Sequence, residues 1–210
     1  PQTVSNWSSA EVNQLLNDDS VVSPKGSTTI TTTVRQSNGV SVSNAIPSTT
    51  PQIYDTNSYN SQPSVSARAA LVMDAQTGEV LYSKNTNSAL PIASITKLMT
   101  GVVTADARLN MSEEIRLEAI DFAGAGGKNS SSTLKVGDTM NRAEMLLLAL
   151  MKSENPAAAA LARTYPGGRP AFVAAMNSKA RQLGMNSTHY TESTGLDPRN
   201  ISSARDLGIL

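Results

Sequence analysis

No cysteine occurs in the 210 residues, and histidine occurs once, at His189. The first absence removes disulfides and thiolate chemistry, and it is compatible with an oxidising compartment without requiring one. The second leaves no cluster at metal-ligand spacing, so His189 is expected to be structural and no metal or cofactor is expected. Excess charge is lacking too: 17 basic and 17 acidic residues give a formal net charge of zero, which offers no basic face to nucleic acid or to an anionic membrane. No apolar run approaches the ~18 residues that span a bilayer. Gly124-Ala125-Gly126-Gly127-Lys128 lacks both Gly-x-Gly-x-x-Gly spacing and a hydroxyl residue after its lysine, so it reads as a flexible loop and not a phosphate cradle.

Apolar content is scarce in the first 66 residues, which are rich in Ser, Thr, Asn and Gln and carry six charges (Glu11, Asp18, Asp19, Lys25, Arg35 and Asp55). Such a stretch cannot bury enough surface to offset its ordering entropy, and residues 1–66 are expected to be a flexible linker. The composition changes at Ala67. From there Leu71-Val72-Met73-Asp74, Ala75-Gln76-Thr77-Gly78 and Val80-Leu81-Tyr82-Ser83 predict a β-hairpin whose first strand, nearly all apolar, is a core strand. Further on, residues 113–117 alternate as a short strand, and residues 142–151 are apolar all round, as in a central buried helix. Pro156 opens an alanine-rich helix over 157–163, residues 170–183 form an amphipathic helix closed by Gly184, and Ser202-Ser203-Ala204-Arg205-Asp206-Leu207 reads as an N-cap and the first turn of a helix. The length leaves room for one ordinary domain beside the linker, and a monomer is expected by default.

The stretch that carries chemistry is Pro91-Ile92-Ala93-Ser94-Ile95-Thr96-Lys97. Ser94 stands three residues ahead of Lys97 at the start of a helix-compatible run, 95–107, with Pro91 just upstream. Positions i and i+3 are neighbours on one helix face, so the amine can reach the hydroxyl. A serine needs a base to become a nucleophile, and a lysine is a base only when neutral. Bringing its pKa from the ordinary value of ~10.4 to near 7 requires about 4.6 kcal/mol, which burial can supply. A second Ser-x-x-Lys, Ser132-Thr133-Leu134-Lys135, follows a polar loop and reads as a short strand, which would send the two side chains to opposite faces.

Ser153-Glu154-Asn155 follows the buried helix and lies on the connection to the next one. Ser-x-x-Lys, then Ser-x-Asn, then Lys-Thr-Gly is the ordered signature of penicillin-binding proteins and class A β-lactamases, which work through an acyl-serine. With Tyr165-Pro166-Gly167-Gly168, Leu183-Gly184-Met185 and Thr194-Gly195-Leu196-Asp197, residues 67–210 resemble the N-terminal part of a low-molecular-mass penicillin-binding protein, a serine DD-peptidase. They are most similar to the D-alanyl-D-alanine endopeptidase subgroup, penicillin-binding protein 7/8.

The resemblance implies that residues 67–210 are the N-terminal portion of a catalytic domain of the α+β class, with a serine β-lactamase/DD-transpeptidase-like fold of helices packed on an antiparallel sheet that lacks its C-terminal strands. It also implies a periplasmic enzyme, its signal peptide removed, that cuts D-alanyl cross-links between peptidoglycan stem peptides and is acylated by β-lactams. Ser94 would be the nucleophile, Lys97 its base, Ser153 a proton relay and Asn155 a holder of the substrate amide. The Ser94 N–H would form half of the oxyanion hole. No Lys-Thr-Gly or Lys-Ser-Gly occurs, so the chain is expected to be a C-terminally truncated form lacking the third motif and its strands. A D-alanyl-D-alanine carboxypeptidase and a catalytically silent cell-envelope binding fragment stay open beside the endopeptidase. A class A β-lactamase is disfavoured, because nothing after Asn155 reads as the loop whose glutamate activates a deacylating water.

Overall fold

A computed structural model describes residues 63–124 and 132–210. The linker expected over 1–66 lies outside them up to residue 62, as do residues 125–128 of the glycine-rich loop.

The hairpin forms where it was expected. Strand β1 (Ala70–Met73) pairs antiparallel with β2 (Val80–Lys84), Ala70 opposite Lys84 and Val72 opposite Tyr82. Its turn is set by Asp74, whose carboxylate accepts the N–H groups of Gln76 and Thr77, both at 2.8 Å, an Asx turn. The core-strand expectation for β1 does not hold among the described residues. Val72 and Val80 stay 48% and 50% exposed, because this two-stranded ribbon is packed on one face only.

After the two-residue strand β3 (Leu90–Pro91), a 3₁₀ turn at Ala93–Ile95 carries Ser94 and feeds helix α1 (Thr96–Asp106). Regular helix therefore begins after the serine, and Pro91 lies in the strand instead of the first helical turn. Strand β4 (Glu114–Arg116) leads to a second 3₁₀ turn, Ala119–Phe122, and pairs antiparallel with β5 (Thr139–Asn141). The strand expected around Lys135 is instead irregular chain with a turn at Val136 and Gly137.

Helix α2 (Arg142–Met151) covers the expected residues. Asn141 and Glu144 close a reciprocal capping box, with N–H to side-chain oxygen distances of 2.8 and 2.9 Å, satisfying two otherwise orphaned donors. Its burial is one-sided: Met145, Leu146 and Ala149 are inside, whereas Met151 is 76% exposed. Helix α3 (Asn155–Arg163) has Pro156 in its first turn, and α4 (Gly168–Gln182) starts two residues earlier than expected, after Gly167. Strand β6 (Ile201–Ser202) returns to pair with β3, and α5 (Ala204–Ile209) is capped by Ser203, whose Oγ accepts the Asp206 N–H at 3.0 Å. Helix α5 covers one face of β1, with Gly208 set against Leu71 and Met73.

The described strands thus form three separate antiparallel ribbons, and the helices pack mainly on one another. Helix α3 lies at the middle. Ala157, Ala158 and Ala160 face a cluster with α2, β4 and Met111, while Ala162 joins Met99 and Val103 of α1 and Phe172 and Met176 of α4. Side chains of one carbon let three helices approach a fourth closely, where an added methylene typically costs ~1–3 kcal/mol. The Arg163 fork grips the fully buried Asp121 carboxylate at 2.9 Å twice and fixes the second 3₁₀ turn to the end of α3. What the packing positions is the N-terminus of α3 beside that of α1.

Candidate active site

Ser94 is exposed, and Lys97, one helical turn on, is buried beneath it at 2% exposure. Lys97 Nζ has three acceptors around it: Ser94 Oγ at 3.2 Å, Asn155 Oδ1 at 2.7 Å and the Thr194 carbonyl at 2.9 Å. An ammonium has three protons and fills all three places. Neutral lysine has two protons and one lone pair. Two of its neighbours are carbonyl oxygens, which accept and cannot donate, so only the Ser94 hydroxyl can offer a proton to the lone pair. The surroundings therefore choose the direction from which a neutral Lys97 accepts a proton.

Burial pushes the Lys97 ammonium down from its ordinary 10.5 to about 8, against the carboxylates of Glu192 and Glu154, which favour the charged form. A depression of that size corresponds to on the order of 3 kcal/mol. It leaves about a tenth of the side chain neutral at pH 7, less than a base poised at neutrality but far more than an exposed lysine provides.

Asn155, the first residue of α3, delivers its side-chain carbonyl to Lys97, a contact that the substrate-holding role implied for it does not include. Ser153 does not join it: its side chain is exposed, and no hydrogen bond links it to Ser94 or Lys97 among the described residues. Its φ of 56° places a non-glycine residue in the left-handed region, a strain of about 1–3 kcal/mol that is typically retained at functional turns. Ala93, directly before Ser94, is held similarly, at φ 48°. Between Ser153 and Asn155, Glu154 is buried and accepts the hydroxyls of Ser132 and, at 3.0 Å, Thr133. The second Ser-x-x-Lys thus contributes its serine to the motif turn and does not pair it with Lys135.

Sequence reading missed the wall opposite α3. Residues 191–200 form a loop with little regular structure, tied to α1 through a buried polar strip. Thr100 Oγ1 donates to the Ser193 carbonyl at 2.7 Å, and the fully buried Asn200 donates to Thr96 Oγ1 at 3.1 Å. Thr96, Thr100 and Thr104 recur every four residues beside Lys97, and this spacing in an otherwise apolar helix was the available signal. Gly195 has φ 90°, and a Cβ there would lie 1.8 Å from the Ala93 carbonyl oxygen, so the loop touches the backbone that presents Ser94. His189 exchanges two backbone bonds with Ile201, 2.9 and 3.0 Å. Among the described residues no group of three His, Cys, Asp or Glu side chains could hold a metal ion.

Residues 56–210 match the profile of the D-alanyl-D-alanine carboxypeptidase family. The chain is 50% identical over 146 residues to a D-alanyl-D-alanine endopeptidase of Pseudomonas aeruginosa, covering 70% of this chain and 46% of that protein. Against the D-alanyl-D-alanine carboxypeptidase DacF of Bacillus subtilis the identity is 36% over 149 residues, covering 69% of this chain and 38% of that protein. The fold also matches penicillin-binding protein D2 of Listeria monocytogenes, solved in its cefotaxime-bound form, with a TM-score of 0.61 and 30% identity over 70% of this chain and 62% of that one. The chain spans about half the length, or less, of these two curated relatives.

Two outcomes follow from this geometry. Gly195→Ala is expected to lower the unfolding free energy by about 2–4 kcal/mol, through a forced left-handed alanine and the clash with Ala93, read by urea denaturation. The lowered Lys97 pKa means that the unfolded chain binds more protons than the folded one between pH 8 and 10.5, so stability rises with pH in that window. Compared with Lys97→Met, the native chain should therefore gain on the order of 3 kcal/mol across it. The comparison is best read below pH 10, before Tyr190, pushed up to about 12 by burial, contributes with the opposite sign.

Proposed function

The chain belongs to the D-alanyl-D-alanine carboxypeptidase family, and from that premise we propose that it works as a serine DD-peptidase on peptidoglycan, cutting D-alanyl cross-links as an endopeptidase. The observation that carries the reading is the Lys97 amine held between two carbonyls and the Ser94 hydroxyl. Neutral Lys97 takes the Ser94 proton as Oγ attacks the carbonyl carbon of a D-alanyl peptide bond. The tetrahedral oxyanion meets the Ser94 N–H at the start of the helical segment, where the peptide dipoles favour negative charge. Lys97, now an ammonium, returns a proton to the leaving amine as that C–N bond breaks, and an acyl-serine remains for water to hydrolyse.

Asn155 holds Lys97 and presents its amide N–H groups to the substrate backbone. Ser153, at the mouth of the site, relays the proton towards the leaving amine once substrate draws its hydroxyl inward. The 210 residues contain no Lys-Thr-Gly or Lys-Ser-Gly, so a carboxylate-binding lysine and a second oxyanion donor are not supplied by that motif here. Losing one such donor typically costs about 10²–10³ in rate.

The preference for endopeptidase over carboxypeptidase rests on the 50% identity to a relative of the first name against 36% to one of the second. Acylation by β-lactams is supported by the cefotaxime-bound relative. A substrate in the cell wall supports a site of action outside the cytoplasm, which we propose is the periplasm, and we propose that the protein acts there as a monomer. No helix among the described residues is long and apolar enough to cross a membrane.

The test is the intact mass of the purified protein before and after exposure to a penicillin. One stoichiometric adduct is expected, and it disappears in Ser94→Ala. An unmodified wild-type protein, or an adduct that survives Ser94→Ala, would contradict the reading.

A further inference from the structure

We infer that Glu192 is a positioning residue for the Ser94 and Lys97 pair, because its carboxylate fixes the loop that brings the Thr194 carbonyl onto Lys97. The inference rests on the roles proposed above for those two residues.

Loop 191–200 contains no helix and no strand, so its shape depends on side-chain hydrogen bonds. The Glu192 carboxylate accepts five of them, and the Asn200 side chain and the Asp197 and Arg199 pair supply most of the rest. Its Oε2 accepts the Thr194 N–H at 2.6 Å and Thr194 Oγ1 at 2.5 Å. Its Oε1 accepts the Gly195 N–H at 2.6 Å and Asn200 Nδ2 at 2.9 Å, with the Asp197 N–H more distant at 3.4 Å. Bonds this short to an ionised acceptor are roughly twice as strong as neutral ones. They hold the N–H of the Thr194–Gly195 peptide unit and that of the unit before it, and the oxygen of the first, that of Thr194, meets Lys97 Nζ.

Packing does not do the same work. A cavity of about 590 Å³, lined by Glu192, Ser193 and Thr194 on one side and by Ala159, Ala162 and Val173 on the other, lies behind this loop. With open space there, the loop is held by hydrogen bonds: Ser193 and Asn200 anchor it to α1 and α3, and the Glu192 carboxylate sets the turn at Thr194 and Gly195 between those anchors. Gly195 makes the placement sensitive, since the same turn touches Ala93 and so sets Ser94 as well.

The donor set also separates this glutamate from one that activates a deacylating water. Both oxygens are engaged by main-chain and side-chain donors, and neither is free to take a proton from water. Glu192 therefore acts through geometry and charge. The charged groups that face Lys97 are Glu192 from this loop and Glu154 from the turn between α2 and α3.

The experiment compares wild type, Glu192→Gln and Glu192→Asp in two readouts: the NMR titration of the Lys97 side chain, and the rate constant of acylation by a penicillin at a pH above the Lys97 midpoint. Glutamine keeps the shape, but its amide nitrogen cannot accept from Thr194, and it removes one of the two carboxylates. The Lys97 midpoint is expected to fall below the wild-type value by about half a unit or more. The acylation rate constant is expected to fall about 10- to 100-fold through misplacement of the pair. Aspartate keeps the charge and is too short to span both N–H groups, so the rate constant falls while the midpoint stays nearer that of wild type.

A Glu192→Gln protein that titrates and acylates like wild type overturns the inference. So does a loss confined to the fraction of protein labelled, with an unchanged rate constant in the labelled part, since that is the mark of impaired folding alone. If the wild type takes no label, the functional reading fails by itself, and the titration still decides: an unmoved Lys97 midpoint in Glu192→Gln sinks the positioning role.

Discussion

The three hydrogen-bond acceptors around Lys97 Nζ constrain everything near them. A buried ammonium without partners is untenable, and one with three partners is stable but useless as a base. Here the partners are unequal: two are carbonyls and one is the hydroxyl of Ser94. Loss of a proton therefore leaves a lone pair with a single chemically sensible direction. Partial burial, opposed by two nearby carboxylates, holds the pKa at about 8, low enough to supply neutral amine and high enough to let the lysine recover and return a proton.

Three remote segments must converge to build that arrangement, and each costs local structure. Ser94 rides on a 3₁₀ turn behind a left-handed alanine, Asn155 opens a helix after a left-handed serine, and Thr194 lies on an irregular loop. The surrounding structure over-determines all three. The alanine face of α3 allows close approach of α1, α2 and α4, the strand pair β3 and β6 joins the approach to Ser94 to the end of the loop, and Asn200 bridges that loop to Thr96. Rigid packing around strained turns is how a site keeps polar groups aligned without relying on substrate to order them.

Much of this was legible in the residues. The hairpin, α2, the Pro156 opening of α3 and the serine cap before α5 follow from short-range rules on turns, apolar runs and caps, although α3 begins at Asn155, which was expected on the connection. So does the proximity of Ser94 to Lys97. The convergence of Asn155 on Lys97 came from motif order and not from periodicity, because no local rule spans that separation. The loop carrying Thr194 was less accessible: its shape comes from a carboxylate accepting main-chain N–H groups, and Glu192 within Thr191-Glu192-Ser193-Thr194 carries no pattern that announces it. The exposed faces of β1 and α2 were misjudged for a related reason, since apolar content reports that a surface can be buried and not what covers it.

The most direct test of the lone-pair account is neutron diffraction from crystals at pH ~9.5, above the Lys97 pKa of about 8, because ordinary X-ray data do not show protons. Two deuterons on Nζ directed at Asn155 Oδ1 and the Thr194 carbonyl, with the Ser94 deuteron pointing at Nζ, is the predicted result. Three deuterons on Nζ at that pH, or an Nζ deuteron pointing at Ser94 Oγ while the lone pair faces elsewhere, would contradict it.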